Sequence, residues 1–456
     1  MDRIQMTYGG HMRALFTLGL PLIGGHVAQF AVGLTDTIML GWYSVDALAA
    51  VVLATQLFFL VFILGSGFAF AVMPMVAEAL ATEDDTAIRR TTRMGLWLSV
   101  IYALVCLPLF WFSRPVLVAA GQDPILSEAA QGYLRIAGVG LIPALIVMVL
   151  KSYLAALEHT RVVFWITIAA AVINGFVNYA LIFGNWGAPE LGIQGAAIAS
   201  LSVQVVMLIG AVLYAVWALP QDDLFTRIWK PDWEAARRVF MLGVPIGFTT
   251  LAEVGLFAAG TLMMGWLGTV QLAAHGIALN LAGLMFMVHL GLSNAATVRA
   301  GNAMGRKDAE HLARGARTAI AMSMVYAVFS VIIFVTQSEF LVSLFLDPND
   351  ANFDAILAAG AVLLIAAAMF QFVDGLQAMA LGVLRGIMDT RGPMIMAAIS
   401  YWLVGVPCSY FMGFTLGWGG LGVWFGLGLG LAVAAVLLLW RFWRGKLGVL
   451  RESFAG

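Results

Sequence analysis

Three acids, Asp36, Glu253 and Asp374, lie deep inside long apolar runs. A carboxylate at the centre of a membrane-spanning helix costs about 2.5–3.5 kcal/mol on insertion scales, so it persists where it meets water, a cation or a partner. No Lys or Arg stands at matching depth to neutralise the three. What remains is to hold a proton or to bind Na+. Either state couples to an electrochemical gradient, in which one charge moved across the membrane is worth about 2.3 kcal/mol per 100 mV.

The spacing of polar residues around these acids sharpens the reading. Residues seven apart on a helix return to nearly the same direction, so Gln29 and Gly33 share a face with Asp36, and Glu253 takes the matching face of its own helix. Asn174 and Asn178 are one turn apart. Their amide oxygens, converging with Asp36, form the donor set that a small hard cation such as Na+ prefers. Taken alone, each Asn reads more simply as a helix-to-helix hydrogen bond. Gln371, Asp374 and Gln377 make a second polar strip, which pairs Asp374 with Glu253 to exchange a cation or protons against a charged ligand. Met263, Met287 and Phe286 can line an adaptable pocket for hydrophobic ligands, with Asp36, Glu253, Gln29 and Gln371 as its polar contacts. Met and Phe at helical spacing also serve as plain core. His26, His275 and His289 read as hydrogen-bonded packing residues, and Cys106 and Cys408, both in apolar runs, as small filler.

The elements that carry these residues are long apolar helices. The 456 residues are 62% hydrophobic and 11% charged, against about 25% charged in soluble domains. Twelve stretches are long enough to span a bilayer, near 14–40, 47–78, 94–113, 130–155, 162–184, 192–219, 239–265, 270–300, 316–337, 355–384, 393–415 and 420–443. They come in two sets of six. The stretch from Leu18 to Ala50 returns at Leu242 to Ala274 with Pro21 on Pro245, an offset of 224 residues that also puts Gly67 on Gly291, Asp84 on Asp308 and Arg90 on Arg314. The acids break the repeat: Asp36 falls on Gly260, and Glu253 on Gln29. Six is even, so the copies enter the membrane from one side and make a parallel repeat about an axis along the membrane normal. The expected organisation is a six-helix lobe over 1–219, a linker over 220–234 and a second lobe over 235–456, with substrate between the lobes near the midplane.

Of 24 Lys and Arg, all but Arg114 and Arg135 lie at the termini or beside the loops after even-numbered helices. The positive-inside rule then places both termini and the linker in the cytoplasm, and the loop from Glu339 to Asp354, with Asp347 and Asp350, outside. No stretch reads as a removable signal peptide. A net charge of −1, with no basic patch interleaved with aromatics, gives no sign of nucleic-acid binding. No HExxH, GxSxG or phosphate-loop motif is present, which argues against an enzyme; Gly301 to Lys307 falls one residue short of a phosphate loop.

Taken together these residues resemble the multidrug and toxic compound extrusion (MATE) family, in its NorM-like branch. The resemblance spans essentially the whole chain, and its most specific parts are Pro21, Asp36 and Gly41; the block from Tyr133 through Pro143, Tyr153 and Thr160-Arg161 to Asn174, Asn178 and Gly195; and Glu253 with Asp374. It implies an all-α carrier without cofactor, acting as a monomer in the bacterial inner membrane. Such a carrier exports cationic or amphiphilic drugs against Na+ or H+ and is surrounded by membrane lipids. It also implies that Asp36, Asn174, Asn178, Glu253 and Asp374 are the coupling residues, with Asp36, Asn174 and Asn178 the Na+ candidates. One departure is Phe370, where some members have Tyr; the missing hydroxyl favours protons over Na+ at the second acid pair. A major facilitator has the same helix count, but its Asp-Arg loop signature is absent between the second and third helices. A lipid-linked precursor flippase of the same superfamily remains the other alternative, although its cavity is expected to be cationic.

Overall fold

A computed structural model describes residues 6–348 and 351–455. Arg3 and Asp350, which entered the charge comparison above, lie outside the described residues. Among the described residues, twelve helices are long and apolar enough to cross a membrane: α1 Tyr8–Tyr43, α2 Val45–Ala81, α3 Asp85–Trp111, α4 Pro124–Ala156, α5 Thr160–Phe183, α6 Ile193–Ala218, α7 Trp233–Trp266, α8 Thr269–Gly305, α9 Ala309–Thr336, α10 Phe353–Gly386, α11 Arg391–Thr415 and α12 Gly419–Phe454. Two short helices, Ser113–Ala119 and Ser338–Ser343, lie between spans, and there is no strand among the described residues. The chain is an all-α, multi-pass membrane protein.

Several helices outrun their apolar stretches, because a helix stops where its end groups are satisfied and not where hydropathy falls. α3 and α9 were expected from 94 and 316 but start at Asp85 and Ala309. The repeated acid explains both: Asp84 Oδ1 accepts from Ala87 N at 2.9 Å, and Asp308 Oδ1 accepts from His311 N at 2.9 Å, so each caps an otherwise orphaned donor. α11 contains two wide π-helical segments, Ile399–Gly405 and Phe411–Thr415, on either side of Pro407, whose ring nitrogen cannot continue the regular ladder. α12 packs closely on α11 through glycines four apart. A Cβ on Gly426 would lie 2.2 Å from Ser409 N, and one on Gly430 would lie 2.7 Å from Gly405 Cα.

Packing divides the chain into two compact units: an N-terminal unit, Gly24–Gly247, and a C-terminal unit made of the described residues of Met1–Ile23 and Phe248–Gly456. The opening turns of α1 belong to the C-terminal unit, and those of α7 to the N-terminal unit. Both divisions fall two residues after a repeated proline, Pro21 or Pro245, which stand inside α1 and α7. In the N-terminal unit a Cβ on Gly67 of α2 would meet Gly243 O at 2.2 Å, so only glycine lets α7 approach there. In the C-terminal unit the equivalent Gly291 of α8 faces Ile23 of α1, its Cβ position 2.8 Å from Ile23 N. The repeated glycines are thus the contact points of the two opening segments.

The linker is tied to the N-terminal unit. Arg93 Nε donates to Leu224 O at 2.6 Å, Trp97 Nε1 donates to Ile228 O at 2.7 Å, and the buried Tyr153 hydroxyl donates to Asp222. Arg90 donates to Asp232 and, at 3.2 Å, to Glu234. That guanidinium holds the Asp232 carboxyl below the usual carboxylate range.

Candidate functional site

In the N-terminal unit, α1, α5 and α6 bring a polar group together inside apolar surroundings. Asp36 is half-buried, while Asn174 and Asn178 are fully buried. Asn174 Nδ2 donates to Asp36 Oδ1 at 3.0 Å, Asn178 Nδ2 to the same oxygen at 2.5 Å and to Asn174 Oδ1 at 3.2 Å. Ser200 of α6 donates to Asp36 Oδ2 at 3.4 Å and lies 3.3 Å from the Tyr133 hydroxyl of α4. The three residues expected to converge do so, but the amides present nitrogens to the carboxylate where oxygens were expected. Asn178 Oδ1 is buried without a partner. A half-turn of each carboxamide exchanges its oxygen and nitrogen, so the same side chains can present either atom to this position.

In the C-terminal unit the arrangement is poorer in donors. Gln377 Nε2 of α10 donates to Glu253 Oε1 of α7 at 3.3 Å. Asp374, one turn earlier on α10, is 4% exposed; its Oδ1 has no partner, and it acts electrostatically on Glu253. Tyr401, from the first wide segment of α11, is fully buried with its hydroxyl unpartnered and interacts electrostatically with both acids. No Arg stands at the depth of the acids, in keeping with the sequence; Arg385 acts on Glu253 from the end of α10.

The remaining candidates are distributed more widely. Gln371 is fully buried and donates to Ala282 O at 3.3 Å, bonding α10 to α8. Met263 of α7 is buried, Met287 and Phe286 of α8 are half-buried in the C-terminal unit, and Gln29 is half-buried on α1 in the N-terminal unit. Phe370 lies in an aromatic cluster, its ring centroid 5.8 Å from Phe257 and 5.6 Å from Trp424. His275 receives the Trp424 indole N–H on Nδ1 at 3.1 Å and lies 3.0 Å from Thr261 Oγ1 by Nε2. His289 Nδ1 lies 2.7 Å from Ser323 Oγ. Both histidines are the hydrogen-bonded packing residues expected.

Sequence reasoning missed Ser200 and Tyr401 as site residues. Ser200 is a small hydroxyl in an apolar run, where most such groups bond back to their own helix, as Ser202 does to Ile198 O at 2.8 Å. Tyr401 sits among aromatic neighbours that look like lipid contact, and only the wide turns of α11 set it apart.

The family model described as MatE matches the chain twice, over residues 21–180 and 245–411. The protein named Probable multidrug resistance protein NorM from Rhizobium meliloti is 46% identical over 439 residues, covering 95% of this chain and 93% of its own length. Its namesake from Agrobacterium fabrum is 45% identical over 434 residues, with the same shares. Among solved structures, the eukaryotic MATE transporter AtDTX14 superposes with a TM-score of 0.87 at 18% identity, over 98% of this chain and 99% of that one. An outward-facing multidrug resistance MATE family transporter of the MOP superfamily gives 0.87 at 20% identity, over 97% of each chain. At those identities the structures establish a common fold.

Proposed function

Since the chain belongs to the MatE family, we propose that this multidrug efflux antiporter couples export of cationic and amphiphilic compounds to Na+ or H+ through Asp36 in one unit and the Glu253–Asp374 pair in the other. It is a transporter and not an enzyme. The observation that carries the coupling reading is the acid pair: two carboxylates act on each other in an apolar setting, and Asp374 keeps a buried oxygen without a partner. Such a pair needs a proton or a cation between its members. A cationic drug supplies the same positive charge, so drug and coupling ion displace each other, and by linkage each weakens the other's affinity by the same factor.

Asp36 with Asn174, Asn178 and Ser200 is the companion site, with oxygen ligands for Na+ if the carboxamides turn. Phe370 brings no oxygen to the acid pair, which favours protons there. In this reading Met263, Phe286, Met287 and Gln371 supply adaptable drug contacts in the C-terminal unit, and Gln29 a polar contact in the N-terminal unit. The protein acts as a monomer in a bacterial inner membrane with both termini in the cytoplasm, an orientation supported by the distribution of Lys and Arg. Purified protein in proteoliposomes tests the proposal. Efflux of a fluorescent organic cation is expected under an imposed Na+ or proton gradient and is expected to vanish in Asp36→Asn; wild-type efflux by that variant removes Asp36 from the mechanism.

A further inference from the structure

Near the middle of α8, His289 stands between two helices with one ring nitrogen bonded and the other not. Its Nδ1 lies 2.7 Å from Ser323 Oγ of α9, and its Nε2 is buried without a partner. Gln371 of α10 acts on the ring, yet Gln371 Oε1 is also buried without a partner, so the two atoms are not bonded to each other. Gln371 precedes Asp374 by three residues and Gly375 by four, which makes its side chain the neighbour of both. Gly375 admits the ring: a Cβ there would lie 2.7 Å from His289 Cε1 and 2.9 Å from Ser323 Oγ. His289 Nε2, Gln371 Oε1 and Asp374 Oδ1 are three buried polar atoms without partners, on α8 and α10, and the last belongs to the acid pair.

The other copy of the repeat packs without this imidazole. At the 224-residue offset Ser323 and Tyr326 fall on Ser99 and Tyr102, but His289 falls on Gly65. A Cβ on Gly65 would lie 2.5 Å from Tyr102 Cε1, so the tyrosine ring occupies the place where an imidazole would begin. In the C-terminal unit Tyr326 stands edge-on to His289, ring centroids 5.2 Å apart, and its hydroxyl donates to Met285 Sδ at 3.0 Å rather than to Nε2. An imidazole at this position therefore belongs to the copy that holds two acids.

The surroundings of the ring suit a change of charge. A serine hydroxyl donates to a bare Nδ1 or accepts from a protonated one, so His289 can gain and lose a proton without losing the bond that orients it. Ser323 and Tyr326 of α9 and Gln371 of α10 face it; among the described residues no charged side chain acts on it, and Asp374 is the nearest acid to Gln371 along α10. Water between α8 and α10 supplies the bonds that the three atoms lack. We propose that His289 is the proton-relay residue of the Glu253–Asp374 pair. As a cationic drug arrives, the Asp374 carboxyl gives its proton to a water while that water gives one to His289 Nε2, leaving a carboxylate and an imidazolium; the imidazolium then yields a proton to water. The reverse sequence reloads the pair when the drug leaves. The relay rests on the reading of the pair as one that exchanges protons.

Purified full-length protein in weak buffer is mixed rapidly with tetraphenylphosphonium, and proton release is followed with a pH dye. Affinity for the same cation is measured across pH, and folding by thermal unfolding. The proteins are the wild type, His289→Gln and His289→Gly, the last carrying the residue of the other copy. Both variants are expected to release as many protons as the wild type and to keep the pH dependence of affinity, but to release them about a hundredfold more slowly. Release at the wild-type rate in either folded variant overturns the relay and leaves His289 as a packing residue. Fewer protons, or a shifted pH dependence of affinity, overturns it as well, since the ring would then hold the coupling proton or position the acids. A wild type that releases no proton on binding the cation overturns the proton reading of the acid pair itself, a failure distinct from any seen in the variants alone.

Discussion

The two acid sites stand on repeated helices and solve opposite problems. Asp36 is met by three donors, two amides and a hydroxyl, while Glu253 meets one amide donor and Asp374 leaves a carboxylate oxygen unpartnered. The first site can keep a lone negative charge without an ion, since each donor stabilises it directly. The second has more acid than donor. In the proposed mechanism the second site therefore holds a proton or cation until a cationic drug displaces it, while the first has donors enough to keep its charge without one.

The comparison breaks most readily in transport. Asp36→Asn is expected to abolish gradient-driven efflux, and the double variant Glu253→Gln, Asp374→Asn to remove the pH or Na+ dependence of drug affinity. A double variant that loses stability but keeps that dependence reduces the pair to a helix-to-helix contact. Drug binding measured across pH and Na+ separates the outcomes.

Next in size is the contact that fixes each opening segment. Gly67→Ala forces a Cβ onto backbone at 2.2 Å, whereas the nearest atom for Gly291→Ala is the movable Ile23 Cγ1, at 2.4 Å. Gly67→Ala is therefore expected to cost about 1–3 kcal/mol, and Gly291→Ala less, as read from thermal unfolding. Equal losses would remove the asymmetry between the two junctions.

A smaller effect separates the donors of the first site. Asn178→Ala withdraws the closest amide from Asp36 and is expected to destabilise the protein by about 1–3 kcal/mol. Gln377→Ala, at the donor-poor site, is expected to cost less, because its bond to Glu253 is longer. The reverse order would mean that the second site, too, stores a bare charge.

The smallest effect concerns the anchors of α1 and α7. Asp232 falls on Tyr8 in the repeat, so an ion pair with Arg90 holds α7 where Arg314 stacks over the Tyr8 ring at 5.8 Å to hold α1. The Arg90 side chain is 45% exposed, so solvent screens the pair, and Asp232→Asn is expected to cost about 0.2–1 kcal/mol. The Asp232 pKa is lowered by folding. Its contribution is therefore present above the unfolded carboxylate value of about 3.9 and is lost as pH falls through the folded value. The Tm gap between wild type and Asp232→Asn should accordingly be flat at neutral pH, shrink with salt and close in acid; the Arg314–Tyr8 contact should show no such closure.

The number of spans, the duplication and the three intramembrane acids were legible in the sequence, because hydropathy and repeat spacing are local properties that survive without knowledge of the neighbours. Asp84 and Asp308 could be matched across the repeat, and their capping role follows from bonds made within four residues. Asn174 and Asn178 could be placed on one face with Asp36 in view, but which amide atom meets the carboxylate depends on the cross-helix contact itself. Ser200 reaches Asp36 from α6, and Tyr401 and Arg385 act on Glu253 of α7 from α11 and α10, across separations in the chain that carry no periodic signal. The assignment of the opening turns of α1 and α7 to opposite units was likewise decided only in three dimensions, where Gly67 and Gly291 let another backbone approach within a distance that any side chain would block.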